Sequence, residues 1–151
     1  MDKVLLDWKG ISEHIRDTIE YTFIDKAEVL PGIECRAIKL ASTQDWYFKI
    51  HFEDNPIMPG VFVMEMIQQT GGLIINTMPG NKDAKLLFNG CESMRLYRGV
   101  RPGDIVQSEV RMISFRHGVA KFEGRADVDG QLVCKMGFTL VVEGEIKTPK
   151  G

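Results

Sequence analysis

Cysteine is scarce: Cys35, Cys91 and Cys134 are an odd set, with no C-x-x-C pair among them. A disulfide framework is therefore not expected, and a reducing, cytoplasmic compartment is. Charge of either sign is not in excess, with 19 Lys and Arg against 21 Asp and Glu and a net charge of -2. The basic residues are scattered, so neither nucleic acid nor an anionic membrane is expected as a partner. No unbroken apolar run reaches the roughly 18 residues of a membrane span. The start, MDKVLLDWKG, has too short an apolar core for a signal peptide. Histidine is also rare, with three dispersed residues and no H-E-x-x-H, so no metal site is expected. There is no G-x-S-x-G and no Walker loop. Repeats, low-complexity blocks and Gly/Ser linkers are lacking as well, which leaves one domain over residues 1–151.

What is present is a globular composition, 44% apolar and 26% charged, enough to bury a core without staples. Leu5, Trp8, Ile11 and Ile15 have roughly helical spacing over Val4 to Arg16, weakened by Gly10. Thr18 to Leu30 alternates as a strand, Pro31-Gly32 marks a turn, and IECRAIKLA follows as its hairpin partner. Pro59 to about Met78 is the long helix, apolar on nearly every face and so expected to be buried all round. Gly71 and Gly72 each cost such a helix about 1 kcal/mol, which close packing could offset. KLLFNGCESMRLYRGV, DIVQSEVRMISFRHG, VAKFEGRADVDG and QLVCKMGFTLVVEG read as further strands. The Asp129-Gly130 pair is a strong hairpin signal. The sum is an α+β layout of five or six antiparallel strands curled round one central helix. The polar residues 145–151 read as a loose tail.

Three positions carry chemistry. His51 precedes the loop that feeds the buried helix, whereas His14 and His117 read as structural and solvent-facing. Glu65 is an acid between Met64 and Met66, and an unpartnered buried carboxylate costs several kcal/mol. Desolvation would raise its pKa towards the range of a general acid, and with His51 it would make an acid/base couple. A structural carboxylate bonded to backbone or Arg is the alternative. Gly60, after Met58-Pro59, lies at a helix N-terminus whose free N–H groups could hold an oxygen that gains charge. Val61, Met64, Gln68 and Gly72 follow one face of the helix at helical spacing. Cys91, directly after Asn89-Gly90, reads as a small core or turn residue.

The stretch His51-Phe52 through Pro56-Ile57-Met58-Pro59-Gly60-Val61 to Glu65 resembles the 3-hydroxyacyl-acyl-carrier-protein dehydratases of bacterial type II fatty-acid synthesis. In that family Gly follows the His by nine residues and the acid by fourteen, which fits His51, Gly60 and Glu65. Gln69 matches the longer-substrate branch, and Trp46-Tyr47-Phe48-Lys49-Ile50-His51-Phe52 is similar to the flank of the dehydratase-isomerase branch. Phe23-Ile24-Asp25-Lys26, the segment Met94 to Asp104 and Asp127-Val128-Asp129-Gly130 extend the likeness over residues 18–143. Ile50-His51-Phe52-Glu53-Asp54 replaces the usual G-H-F-P-G, and residues 1–16 have no clear counterpart.

The resemblance implies the hotdog fold, a curved antiparallel sheet wrapped round one long helix. It also implies a homodimer, or a hexamer of three dimers, with His from one subunit and the acid from the other in each site. It implies reversible dehydration of a 3-hydroxyacyl thioester on acyl carrier protein or coenzyme A, with no metal or redox cofactor. The acyl chain would run along an apolar tunnel beside the helix, lined by Val61, Met64, Gln68, Gln69 and Gly72, and Arg95, Arg98 and Arg101 would greet the acidic carrier protein. A hotdog thioesterase and a non-catalytic acyl-binding protein are the rival readings.

Overall fold

The computed structural model describes residues 2–15 and 17–144. Arg16, the expected end of the first helix, and the tail 145–151 lie outside the described residues. Seven strands form one antiparallel sheet rather than the five or six expected: β1 (Val4–Leu6), β2 (Lys26–Leu30), β3 (Glu34–Leu40), β4 (Leu86–Leu96), β5 (Ile105–Arg116), β6 (Val119–Val128) and β7 (Gln131–Val142). Their order is β1-β2-β3-β5-β6-β7-β4. Two helices accompany them, α1 (Trp8–His14) and α2 (Gly60–Asn76).

The N-terminus corrects the sequence reading twice. Val4–Leu6 is a strand, with Val4 opposite Val29 and Leu6 opposite Ala27. The helix starts only after Asp7, whose carboxylate accepts from the Gly10 N–H at 2.9 Å. The expected strand from Thr18 begins at Lys26 instead. Ile19–Tyr21 is a single 3-10 turn with Ile19 exposed, so the alternation there does not reflect a buried sheet face. Asn89-Gly90 is no turn either. It lies inside β4, where the register against β7 shifts between Phe88 and Gly90, so Cys91 is exposed on a strand.

The sheet packs against α2 through β2 to β7. Two glycines set the distance of approach. A Cβ on Gly71 would fall 2.9 Å from the Phe138 ring, and one on Gly124 would fall 2.6 Å from Ile67 Cγ2. Close packing therefore offsets the helix cost of Gly71. The polar groups beneath are satisfied in turn. The Thr70 hydroxyl donates to the Met66 carbonyl at 2.7 Å and accepts from the Ser108 hydroxyl at 2.6 Å.

The helix is not buried all round. Val63, Met66, Ile67 and the run from Gln69 to Asn76 are buried, while Val61 is 64% exposed. Met64, Glu65 and Gln68 are only half-buried. These four share one stripe at helical spacing, which this chain leaves open. No described helix is long and apolar enough to cross a membrane.

Candidate active site

The site is built around the start of α2. Trp46–Lys49 forms a 3-10 turn whose Tyr47 and Phe48 are buried, and it delivers the chain to His51. The Phe62 ring anchors this turn to the helix, with centroids 5.5 Å from Trp46, 5.7 Å from Tyr47 and 4.9 Å from Phe23. The loop then closes on itself. The Ile57 N–H donates to the His51 carbonyl at 2.8 Å, and Phe52 and Asn55 exchange two backbone bonds of 3.1 Å.

His51 Nδ1 lies 2.9 Å from the Ile57 carbonyl oxygen. A carbonyl only accepts, so Nδ1 is the donor here, and Nε2 is the ring nitrogen left for other chemistry. The ring is half-buried and stacks on Phe52 at 4.2 Å between centroids. The loop is tied to the rest of the chain from one side. The Met58 N–H donates to the Val100 carbonyl at 2.8 Å, and Arg101 Nη1 donates to Asn55 Oδ1 at 2.7 Å and to the Pro56 carbonyl at 3.3 Å. Gly99 permits this approach, because a Cβ there would meet Ile57 Cδ1 at 3.0 Å. Arg101 and Asn55 were not flagged as a pair by the sequence, since they lie 46 residues apart.

Pro59 caps α2 and Gly60 is its first residue. Its N–H is one of those with no carbonyl a turn earlier to accept it, and it sits at the positive end of a 17-residue helix. A Cβ on Gly60 would fall 2.5 Å from Leu96 Cδ1, so glycine is what lets the Leu96 side chain pack against this end of the helix.

Glu65 stands on the open stripe, one turn further along. Its pKa is pushed up to about 7, mainly by burial, with the Asp17 charge adding and a hydrogen bond from Gln69 opposing. Gln69 itself is buried and is chiefly a clamp. Its Nε2 donates to the Tyr21 carbonyl at 2.7 Å and to Glu65 Oε1 at 3.3 Å, and its Oε1 accepts from the Phe23 N–H at 2.9 Å. Beside Glu65 lies a cavity of about 370 Å³ lined by Gln68, Gln69, Gly72, Leu86, Phe88 and Leu140, among others. Val61 and Met64 do not line it; they lie nearer the helix start. His51 does not reach it either, so one chain does not bring base and acid together in this cavity.

The basic residues expected at the mouth divide. Arg101 holds the His51 loop, and Arg98 bonds Gln131 Oε1 at 2.8 Å and Asp104 at 3.5 Å. Arg95 lies over the Tyr97 ring at 5.5 Å and stays on the exposed edge strand.

A sheet of this order wrapped on one long helix defines the hotdog class, and solved structures agree. The dehydratase heterocomplex ApeI:P from Xenorhabdus doucetiae superposes with a TM-score of 0.76 over 87% of this chain and 90% of its own, at 13% identity. A hypothetical thioesterase from Streptococcus pneumoniae, solved with coenzyme A, gives 0.60 over 78% of this chain and 84% of its own, at 12% identity. Likeness at this identity speaks for the fold alone. The sequence goes further: the family model of the FabA-like domain matches residues 22–137. The chain belongs to the FabA-like family. Curated proteins named 3-hydroxyacyl-[acyl-carrier-protein] dehydratase FabZ are similar over most of their length. The protein from Roseiflexus castenholzii is 37% identical over 92% of this chain and 99% of its own, and that from Shewanella loihica 40% over 85% and 87%.

Proposed function

We propose that this protein is a 3-hydroxyacyl-[acyl-carrier-protein] dehydratase, converting a 3-hydroxyacyl thioester reversibly to the trans-2-enoyl thioester in fatty-acid or related acyl-chain synthesis. The observation that carries the reading is that the chain prepares two groups in opposite ways. His51 has Nδ1 tied to a backbone carbonyl, which leaves Nε2 clear of that bond, while burial raises the Glu65 carboxyl to about 7. The dehydratases it resembles at 34% to 40% identity bear the same activity in their names.

In the reaction His51 Nε2 removes the proton from C2. The Gly60 N–H donates to the thioester oxygen, which gains charge as the C2–H pair moves inward. That pair becomes the C2–C3 double bond, the C3–O bond breaks, and Glu65 protonates the departing hydroxyl so that it leaves as water. The proton on His51 then returns to Glu65, and the cycle resets. The acyl chain runs from the open stripe of Val61 and Met64 into the cavity past Gln68, Gln69 and Gly72.

The couple is completed in a homodimer, where Glu65 meets His51 of the partner subunit. Three features support this. The cavity beside Glu65 takes no residue from the His51 loop of its own chain. The stripe holding Glu65 is uncovered. β4 is an edge strand with Leu87, Phe88, Met94 and Leu96 all more than 40% exposed, ready to pair with a second copy. Acyl carrier protein, an acidic partner, docks near Arg95, and the free cysteines suit the cytoplasm.

The test supplies a 3-hydroxyacyl thioester, on carrier protein and on coenzyme A, and follows enoyl absorbance and free thiol separately. Enoyl product without thiol is expected. Thiol without enoyl product makes the protein a thioesterase, and tight binding without turnover makes it an acyl-binding protein. Light scattering then reads the dimer, or the hexamer of three dimers.

A further inference from the structure

The residues before position 22 lie outside the stretch that the family model matches, yet part of them forms a wall of the site. His14, Ile15 and Asp17 line the same cavity as Glu65. The segment is fastened there by several contacts. Gln69 donates to the Tyr21 carbonyl, the Trp46 indole N–H donates to the Glu20 carbonyl at 3.0 Å, and the Tyr21 ring packs 5.2 Å from Phe23 and 6.1 Å from Phe62. The same Gln69 amide also donates to Glu65, so wall and acid share one clamp.

We infer that Asp17 is a positioning residue for the dehydration: a second carboxylate that lines the cavity of Glu65, held there by the fastened segment, and acts through its charge on that acid. The inference rests on the dehydratase reading for its role in turnover.

The physics is that of two like charges near one low-dielectric space. Burial raises the Asp17 carboxyl as well, but Asp17 is exposed and Glu65 half-buried, so Asp17 is the first of the two to ionise. Its charge then opposes ionisation of Glu65, in the same direction as burial. Among the described residues, His14 and Lys85 also line the cavity and Tyr21 lies beside Glu65. His14 Nδ1 is engaged by the Gly10 carbonyl at 2.7 Å. Lys85, on the same cavity, and, in the proposed dimer, the partner's His51 when protonated are the charges of opposite sign.

The experiment compares the wild type with Asp17→Asn and Asp17→Glu. Two things are measured: the pH profile of kcat, and the titration of Glu65 by NMR of carboxyl-labelled glutamate, assigned with Glu65→Gln. In Asp17→Asn the alkaline limb of kcat and the Glu65 titration should both move to lower pH, by roughly half a pH unit. Asp17→Glu, which keeps the charge, should restore both. A structural role for Asp17 would lower kcat at every pH and leave the titration in place, and that result overturns the inference. The titration needs no substrate. A moved titration in a protein that dehydrates nothing defeats the dehydratase reading and leaves the effect of Asp17 on Glu65 intact.

Discussion

The loop of His51 and the helical wall of Glu65 solve opposite problems. The proposed base needs an accessible lone pair, and His51 sits in a loop whose residues from Phe52 to Asn55 are exposed. Its shape is set by hydrogen bonds: Ile57 with His51 in both directions, Met58 to Val100, and Arg101 to Asn55. An acid that keeps its proton near neutrality needs less water. Glu65 sits on a helix whose far side is packed to the van der Waals limit against Phe138, and His14, Ile15 and Asp17 line the cavity on its own side. Polar fastening on one side and desolvation on the other give the chain two groups of opposite readiness within fifteen residues.

The largest effect should come from removing either group. His51→Ala and Glu65→Ala should each lower kcat by roughly 10²- to 10⁴-fold, the usual contribution of a general acid or base. Because both side chains are half-buried and on the site, thermal melting should change little. In the proposed dimer, a mixture of the two inactive variants should regain activity, since mixed dimers contain one site with both groups intact. If no activity returns after subunit exchange has been verified, base and acid act within one chain.

The clamp on the acid's side comes next. Gln69→Leu removes the acceptor of the Phe23 N–H and the donor to the Tyr21 carbonyl, in a buried setting. Unfolding in urea should show a loss of about 2–3 kcal/mol. The corresponding change on the base's side should cost far less, because that loop is wet.

Part of this contrast was legible in the sequence. The helix could be read because a long apolar run behind a Pro-Gly start is a local signal, and the spacing of His51, Gly60 and Glu65 because it resembles that of a known family. The fastening was not. Gln69 reads as a tunnel residue until the chain returns to place Tyr21 and Phe23 against it, 48 and 46 residues away in sequence. Arg101 reads as an outward charge for the same reason. Residues 18–25 alternate like a strand, but they cross the helix and pair with nothing as a strand, and only the fold decides which alternation finds a partner. The all-round apolarity of α2 misled about the single chain: Val61 is apolar yet exposed, and Met64 is only half-buried.

The desolvation of Glu65 has a signature in stability. Its folded pKa of about 7 lies above the ordinary 4.5, so the folded state holds a proton that the unfolded state has released between those values. Stability from this group is full below about pH 4.5, falls as pH rises to about 7, and stays low above. Glu65→Gln, neutral at every pH, escapes that loss. Its melting temperature relative to wild type should therefore rise from pH 4.5 to pH 8. The gain should be of order 1 kcal/mol, since partial exposure screens the charge. A difference independent of pH would mean that Glu65 is solvated and no better an acid than a surface carboxylate.

The smallest effect should come from Arg101→Lys on the base's side. Lysine keeps the charge but loses the fork that reaches Asn55 Oδ1 and the Pro56 carbonyl from one nitrogen. The contact is exposed, so stability should fall by less than about 1 kcal/mol. The backbone bonds from Ile57 and Met58 remain and still hold the loop, so kcat should drop only a few-fold, with the pH profile unmoved because no titrating group has changed. A drop as large as that of His51→Ala would show that Arg101, and not the backbone, fixes the imidazole. The base would then depend on a single side chain just as the acid's wall depends on Gln69.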